Sequence, residues 1–289
     1  MNELIITGHT TLTALLGSPV AHSVSPLMHN EAFRLLGLDY AYLCFDVTPD
    51  RLKCVTDAFR VMNVRGFNLT MPDKTKMFEL ADEISPSAAM IGAVNTVVQE
   101  NGKLYAYNTD GIGYMQAVKD AGFDIIGKHM VLLGCGGAAT AIAVQAALDG
   151  VKRLTIVNRQ GASYQKALKL ADTIAKNTSC QTDTCLLEDT SALKQIIATA
   201  HILTNATSVG MAPMDSVSPL ADETLLHPEL IVSDIIYNPR TTLLMKQAKA
   251  IGCPTFNGLY MLLYQGAEAF RLWTGKAMPI PQIKEKYFS

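Results

Sequence analysis

Charge of either sign is sparse in this chain and nearly balanced. Its 289 residues carry 24 lysines and arginines against 26 aspartates and glutamates, a formal net charge of −2. That balance offers no basic surface, so neither a nucleic acid nor an acidic membrane is expected as a partner. The six cysteines are scattered (44, 54, 135, 180, 185 and 253) and form no C-x-x-C pair. Reduced, mostly buried thiols in a cytoplasmic protein are the expected state. The six histidines form no ligand cluster either. His22 and His29 can share a helix face, but no third ligand is near them, so no metal is expected. The N-terminus, MNELIITGHT, has an early Glu3 and no basic region before its short apolar run, and does not read as a signal peptide. There is no repeat and no low-complexity linker. One uncharged stretch, Met130 to Leu148, nearly reaches membrane-spanning length. Its two close glycines and alanine-rich second half make a membrane helix the poorer reading.

What that stretch does contain organises the chain. Lys128 to Gly150 reads KHMVLLGCGGAATAIAVQAALDG. The apolar run His129–Leu133 has the make-up of a buried parallel strand. Gly134, Gly136 and Ala139 follow as a G-x-G-x-x-G/A turn opening a small-residue helix that ends near Gly150. Gly134 permits the tight turn, Gly136 lets a pyrophosphate approach the backbone, and Ala139 allows close helix–strand packing. The helix N-terminus then offers free N–H groups and a positive dipole end to phosphates. Strand, turn and helix together indicate dinucleotide binding.

Ahead of this unit the order is strand, helix, strand, helix, strand: 12–17, 27–36, 40–47, 49–62 and 66–70. That order suggests a small, largely parallel sheet with helices on its faces. In Ser23-Val24-Ser25-Pro26, Pro26 suits a first helical turn with Ser25 as N-cap. Spacing alone favours capping over the alternative, two hydroxyls aimed at a carboxylate. The third strand runs into Thr70-Met71-Pro72-Asp73-Lys74, and a helix to about Ile84 follows. Lys74 therefore sits at a helix start beyond the C-terminal end of a strand, where ligands bind in open α/β sheets. A cation there opposes the helix dipole at a cost of a few tenths to about 1 kcal/mol. Position points to function; the alternative is a solvated lysine offset by Asp73.

Gly92 to Val98 reads as another strand, and Asn101-Gly102 as a two-residue hairpin turn. With that turn Glu100 pairs with Lys103, and counting back places Asn95 opposite Asn108. Asn95 and Asp110 then converge at the open end of the hairpin. Asp110 can also serve as N-cap of a helix over 112–121. Beyond the glycine-rich unit, strand 153–157 leads to Asn158-Arg159-Gln160. NAD-binding proteins usually place an acidic residue here for the ribose 2′-hydroxyl. This chain has Arg159, which suits a 2′-phosphate. Alternating elements to residue 256 complete a doubly wound sheet, and a helix over 259–273 carries Gln265 and Glu268.

These motifs, in order, resemble the shikimate dehydrogenase family nearly end to end. They are Ser23-Val24-Ser25-Pro26, Asn68 to Lys74, Gly92 to Thr96, Asn108-Thr109-Asp110-Gly111, Gly134 to Ala138, Asn158-Arg159 and Tyr260 to Ala267. GFDIIGK, MVLLG, QGAEAF and LWTGK look closest to its quinate/shikimate dehydrogenase branch. The resemblance implies an α/β protein of two domains. A small mixed α/β substrate domain would span 1–111 and 258–289, and a Rossmann-type NAD(P) domain 112–257, with the C-terminal helices packed back on the first domain and the site in the cleft between. It implies reversible NAD(P)H-dependent reduction of 3-dehydroshikimate to shikimate in chorismate and aromatic amino acid biosynthesis. Carried over by position, Lys74 and Asp110 form the catalytic pair. Ser23 and Ser25 hold the ring carboxylate with Tyr237 close by, which reverses the capping preference, and Thr70, Asn95 and Gln265 bind ring hydroxyls. Gly134, Cys135, Gly136, Gly137, Ala138, Asn158 and Arg159 hold pyrophosphate and ribose, and Ile235 and Gly258 lie near the nicotinamide. The cofactor expected is NADP, with NAD as the alternative, in a monomer or homodimer.

In one respect the chain departs from the quinate-accepting branch. That branch can carry an acidic residue after the Asn-Arg pair, where this chain has Gln160 and Gly161. The departure bears on dual cofactor use. A methylenetetrahydrofolate dehydrogenase would share a two-domain plan with a lysine in the cleft, but the Ser-x-Ser-Pro and Asn-Thr-Asp-Gly motifs favour a hydroxylated ring acid over a pterin. A catalytically silent dinucleotide sensor is the reading from another class, and intact Lys74 and Asp110 argue against it.

Overall fold

The computed structural model describes residues 5–288. The stretch around Glu3 that bears on a signal peptide lies outside them. The chain falls into two units, Met1–Gly113 with Leu263–Ser289 and Tyr114–Leu262.

In the first unit β1 (Thr11–Gly17) is the strand the others gather on, parallel to β2 (Tyr40–Asp46) on one side and β3 (Gly66–Leu69) on the other. Helices α1 (Ser25–Leu36) and α2 (Pro49–Val61) make the two crossovers. The direction then reverses. β5 (Thr96–Glu100) runs antiparallel to β3, and β6 (Lys103–Tyr107) antiparallel to β5. Between β3 and β5 lie α3 (Lys74–Leu80), the two-residue β4 (Glu83–Ile84) and α4 (Pro86–Ile91). The six strands lie in the order β2-β1-β3-β5-β6-β4, a mixed sheet. Ala14, Leu16, Phe67, Val97 and Leu104 fill the core on one face. Trp273 of α10 (Leu259–Thr274) is buried too, and its indole N–H donates to the Val97 carbonyl at 2.9 Å. From α11 (Ile280–Tyr287), Lys286 reaches Glu31 of α1 at 2.9 Å.

Helix α5 (Asp110–Asp120) begins in the first unit and continues into the second, which contains only parallel strand pairs. In chain order it runs β7 (His129–Leu133), α6 (Gly137–Asp149), β8 (Arg153–Asn158), α7 (Ala162–Asn177), β9 (Gln181–Leu186) and α8 (Thr190–Ala198). Then come β10 (Ile202–Asn205), β11 (Ile231–Asp234), α9 (Leu243–Ile251) and β12 (Thr255–Asn257). The spatial order is β12-β11-β10-β7-β8-β9. Numbered from β7 this is the 3-2-1-4-5-6 order of a Rossmann sheet, whose topological switch lies between β7 and β10. Every residue of β7 is buried, as a strand covered on both faces requires.

Three local expectations are corrected. Helix α1 begins at Ser25 itself, with Val24 at the N-cap and no capping side chain. The first helix after β3 stops at Leu80 because Asp82 turns away, accepting the Leu104 N–H at 2.7 Å and pairing with Arg60 at 2.6 Å. A separate helix, α4, then starts at Pro86 under a Ser85 cap. Residues 92–95 are not strand: Gly92 is the left-handed C-cap of α4 and pairing begins at Thr96.

Candidate active site

Strand β3 ends at Leu69, and Lys74 is the first residue of α3. Its carbonyl accepts the Val94 N–H at 3.0 Å, which pins the helix start to the segment leading into β5. The half-buried Lys74 ammonium donates to Asp110 Oδ2 at 2.6 Å. Asp73 therefore does not offset it. Asp73 is fully buried, neither of its oxygens has a hydrogen-bond partner, and desolvation pushes its carboxyl up.

The hairpin register places the partner. Glu100 faces Lys103, Thr96 faces Tyr107, and the Asn95 N–H donates to the Tyr107 carbonyl. Asn101 and Gly102 both take positive φ, as the two-residue turn demands. At the open end Asn95 Nδ2 donates to Asp110 Oδ1 at 2.7 Å. Asp110 is thus held through both oxygens, Oδ1 by Asn95 and Oδ2 by Lys74. It is also the first residue of α5, and its own N–H donates to Asn108 Oδ1 at 3.1 Å. Asn95 Nδ2 comes within 3.4 Å of Gln265 Oε1.

The serines and Thr70 stand at the same C-terminal edge of β1 and β3. The Ser25 N–H donates to Ser23 Oγ at 3.2 Å, so Ser23, not Ser25, supplies a hydroxyl to the helix start. The Thr70 N–H donates to the Leu16 carbonyl, and the Ser18 N–H to the Met71 carbonyl at 3.1 Å. Hydroxyls, amides, a carboxylate and an ammonium therefore occur together in the first unit. An ammonium held in this way can give a proton to a neighbouring oxygen and take it back. Asn68, Thr96 and Thr109 belong to the same buried network, although no sequence argument had assigned them a part; all three lie in the quoted motifs.

In the second unit Gly134 takes φ +105°, and a Cβ there would stand 2.9 Å from the Ala206 carbonyl oxygen. Gly136 and Gly137 are exposed, and a Cβ on either would meet nothing within 4 Å. Gly136 is the N-cap of α6, no side chain caps it, and no acidic residue lies in the first turn. Free N–H groups over open space fit a pyrophosphate. Cys135 and Ala138 are half-buried beside them, and burial pushes the Cys135 thiol up, keeping it neutral. Asn158 ends β8, its Oδ1 accepts the Arg159 N–H at 3.0 Å, and the Arg159 side chain is exposed. One carboxylate escaped the sequence reading. Glu188, beyond the end of β9, accepts the Gln160 N–H at 3.3 Å.

Ile235 follows β11, where buried Asp234 is a junction. Its oxygens accept from Asn205 Nδ2, the Ile236 N–H and Thr242 Oγ1. Tyr237, next but one to Ile235, is exposed. Gly258 passes so close to this segment that a Cβ would collide with the Ile235 carbonyl. Among the described residues, no three His, Cys, Asp or Glu side chains group to hold a metal, and no helix is long and apolar enough to cross a membrane.

Two family models match the chain. They are the shikimate dehydrogenase substrate binding domain at residues 15–97 and the shikimate 5'-dehydrogenase C-terminal domain at 258–286. A shikimate dehydrogenase (NADP(+)) of Listeria monocytogenes serotype 4b (strain F2365) is 51% identical over 283 residues, covering 98% of this chain and 97% of its own. The crystal structure of a Listeria monocytogenes shikimate 5-dehydrogenase in complex with shikimate and NAD superposes with a TM-score of 0.95 at 51% identity, over 99% of this chain and 98% of that one. A quinate dehydrogenase from Corynebacterium glutamicum in complex with NAD reaches a TM-score of 0.86 at 29% identity, over 96% and 99%. By sequence over almost its whole length, and by the fold that sequence adopts, the chain belongs to the shikimate dehydrogenase family.

Proposed function

We propose that this protein is an NADP-dependent oxidoreductase that interconverts 3-dehydroshikimate and shikimate, with NAD as a second cofactor. The observation that carries the reading is the Lys74–Asp110–Asn95 cluster, an ammonium and a carboxylate locked together at the C-terminal edge of a sheet. The first unit is the substrate domain and the second holds the dinucleotide, which supplies or accepts a hydride when bound. Gly134 to Ala138 take its pyrophosphate, Asn158 and Arg159 its adenosine ribose, and the Ile235 and Gly258 segment lies by its nicotinamide.

On the substrate side, Ser23, Ser25 and Tyr237 receive the ring carboxylate, and Thr70, Asn95 and Gln265 its hydroxyls. As the carbonyl is reduced, negative charge grows on its oxygen. Lys74 stabilises that charge and delivers the proton; in the oxidative direction its amine removes it. Asp110, held by Asn95, keeps the lysine aimed. Six free cysteines support a reducing, cytoplasmic setting. A monomer or a homodimer serves this chemistry equally. The test follows absorbance at 340 nm with shikimate or quinate and NADP+ or NAD+. Shikimate with NADP+ should react fastest, and no shikimate oxidation with either cofactor would overturn the reading.

A further inference from the structure

The Thr96 side chain is fully buried, and its hydroxyl is engaged on two sides by carboxamides. Thr96 Oγ1 accepts from Asn68 Nδ2 at 3.0 Å and donates to Asn95 Oδ1 at 3.0 Å. Asn68 Oδ1 in turn accepts from the Tyr42 hydroxyl at 2.9 Å, and Asn68 Nδ2 also donates to the Asn95 carbonyl at 3.1 Å. A directed chain results, from Tyr42 through Asn68, Thr96 and Asn95 to Asp110, whose other oxygen accepts from Lys74.

Its direction follows from donors that cannot be reversed. The Thr109 backbone N–H can only donate, and it points at Asn95 Oδ1 from 2.8 Å. That fixes the carboxamide with its oxygen towards Thr109 and Thr96 and its NH2 towards Asp110. A threonine hydroxyl has one proton to give. Because Asn95 offers Thr96 an oxygen, that proton goes to Asn95, and the lone pairs of Oγ1 face the Asn68 amide. Were Asn95 turned over, its oxygen would face the Asp110 carboxylate, two acceptors in contact. Asp110 would then lose the donor that holds Oδ1.

We infer that Thr96 is a positioning residue for the reaction, setting the Asn95 carboxamide so that Asp110 and Lys74 are held in one geometry. The inference rests on the function proposed above and adds to it a residue that touches none of the reacting atoms. Its hydroxyl is engaged entirely by protein groups, Thr109 Oγ1 at 3.3 Å among them, and Thr109 Oγ1 itself bonds the Asn95 carboxamide, so Thr96 reaches Asp110 through Asn95 rather than by touching substrate. Small displacements of a catalytic group are costly, a shift of about 1 Å reaching about a hundredfold. Removing one of several restraints on Asn95 should cost about tenfold.

The test is Thr96→Val, which keeps the branched shape and removes the hydroxyl, beside Thr96→Ser, which keeps the hydroxyl. For Thr96→Val, kcat for shikimate oxidation should fall about tenfold with KM for NADP+ little changed, while the melting temperature should drop only by the few degrees that losing one buried hydroxyl's bonds costs. Thr96→Ser should recover most of the loss, which a packing role for the methyl group would not allow. A double-mutant cycle with Asn95→Ala supplies a second readout. If Thr96 acts through Asn95, Thr96→Val should add almost nothing in that background. A Thr96→Val kcat within twofold of the parent, a Thr96→Ser no better than Thr96→Val, or full additivity with Asn95→Ala would each overturn the inference. A parent enzyme inert towards shikimate would instead sink the proposed function, so the two failures are distinct.

Discussion

Lys74 and Asp110 meet at 2.6 Å across 36 residues of sequence, one at the start of α3 and the other at the start of α5. Two helix starts face each other, and the hairpin between them sets the separation. Dipole physics makes an ammonium at a helix N-terminus unfavourable and a carboxylate there favourable. The pair puts the favoured charge directly against the disfavoured one, so the lysine is held where it would not otherwise settle.

Lys74→Met tests what the ammonium does. The substitution keeps most of the stem and deletes the nitrogen, and the residue is only half-buried, so the fold should survive. General acid–base catalysis contributes about 10²–10⁴-fold, and kcat should drop by that order while NADPH affinity, titrated separately, holds. A raised KM with an unchanged kcat would assign Lys74 to binding alone.

His29 makes stability pH-dependent. It is fully buried, stacked on Tyr42 at 4.4 Å between ring centroids, and neither ring nitrogen has a partner. Desolvation pulls its pKa from 6.5 to about 3. Between those values the unfolded chain binds a proton that the folded chain refuses. Stability should therefore fall as pH drops through this window, by about 1.4 kcal/mol per unit well below pH 6.5. Urea unfolding at pH 7 and pH 5 should show the loss, and His29→Phe, whatever its stability at pH 7, should show a smaller one. An equal loss in the variant would clear His29.

Shikimate should have a higher kcat/KM than quinate. Quinate carries a saturated ring and an added hydroxyl beside its carboxylate, which in the proposed site must fit near Ser23, Ser25 and Thr70. Their hydroxyls can take it, so slower, measurable turnover is the expected outcome. Quinate with the higher kcat/KM would reverse the ordering.

Where a local rule fixed geometry, the sequence was readable. Asn101-Gly102 set the hairpin register, and counting along it brought Asn95 to Asp110. Where tertiary contacts ruled, it was not. The helix after Lys74 could not be stopped at Leu80 from propensity, because Asp82 is held by Arg60 and by the Leu104 N–H, 22 residues away on either side. The start of α4 was readable after all, since Ser85-Pro86 is a cap followed by a first-turn proline. Thr96 and Asn68 stood inside quoted motifs, but only the pairing of β3 with β5 brings their side chains together.

On the function proposed above, cofactor choice turns on Arg159 and on a residue that spacing could not reveal. The exposed Arg159 follows β8 with no acidic neighbour in sequence, and its guanidinium can pair with a 2′-phosphate. A charge-assisted contact of about 1.5–3 kcal/mol makes NADP favoured by roughly ten- to hundredfold. Parallel pairing of β8 with β9, however, brings Glu188 to the Gln160 N–H at 3.3–3.4 Å. A carboxylate there repels a 2′-phosphate and can accept a bond from a 2′-hydroxyl, which moderates the preference. Two substitutions separate the effects. Arg159→Gln should cut kcat/KM for NADP+ about tenfold or more and leave NAD+ nearly unchanged. Glu188→Gln should move the ratio the other way, towards NADP+. Measured with saturating shikimate, a parent enzyme that prefers NAD+ would show that Glu188, not Arg159, governs the ribose site.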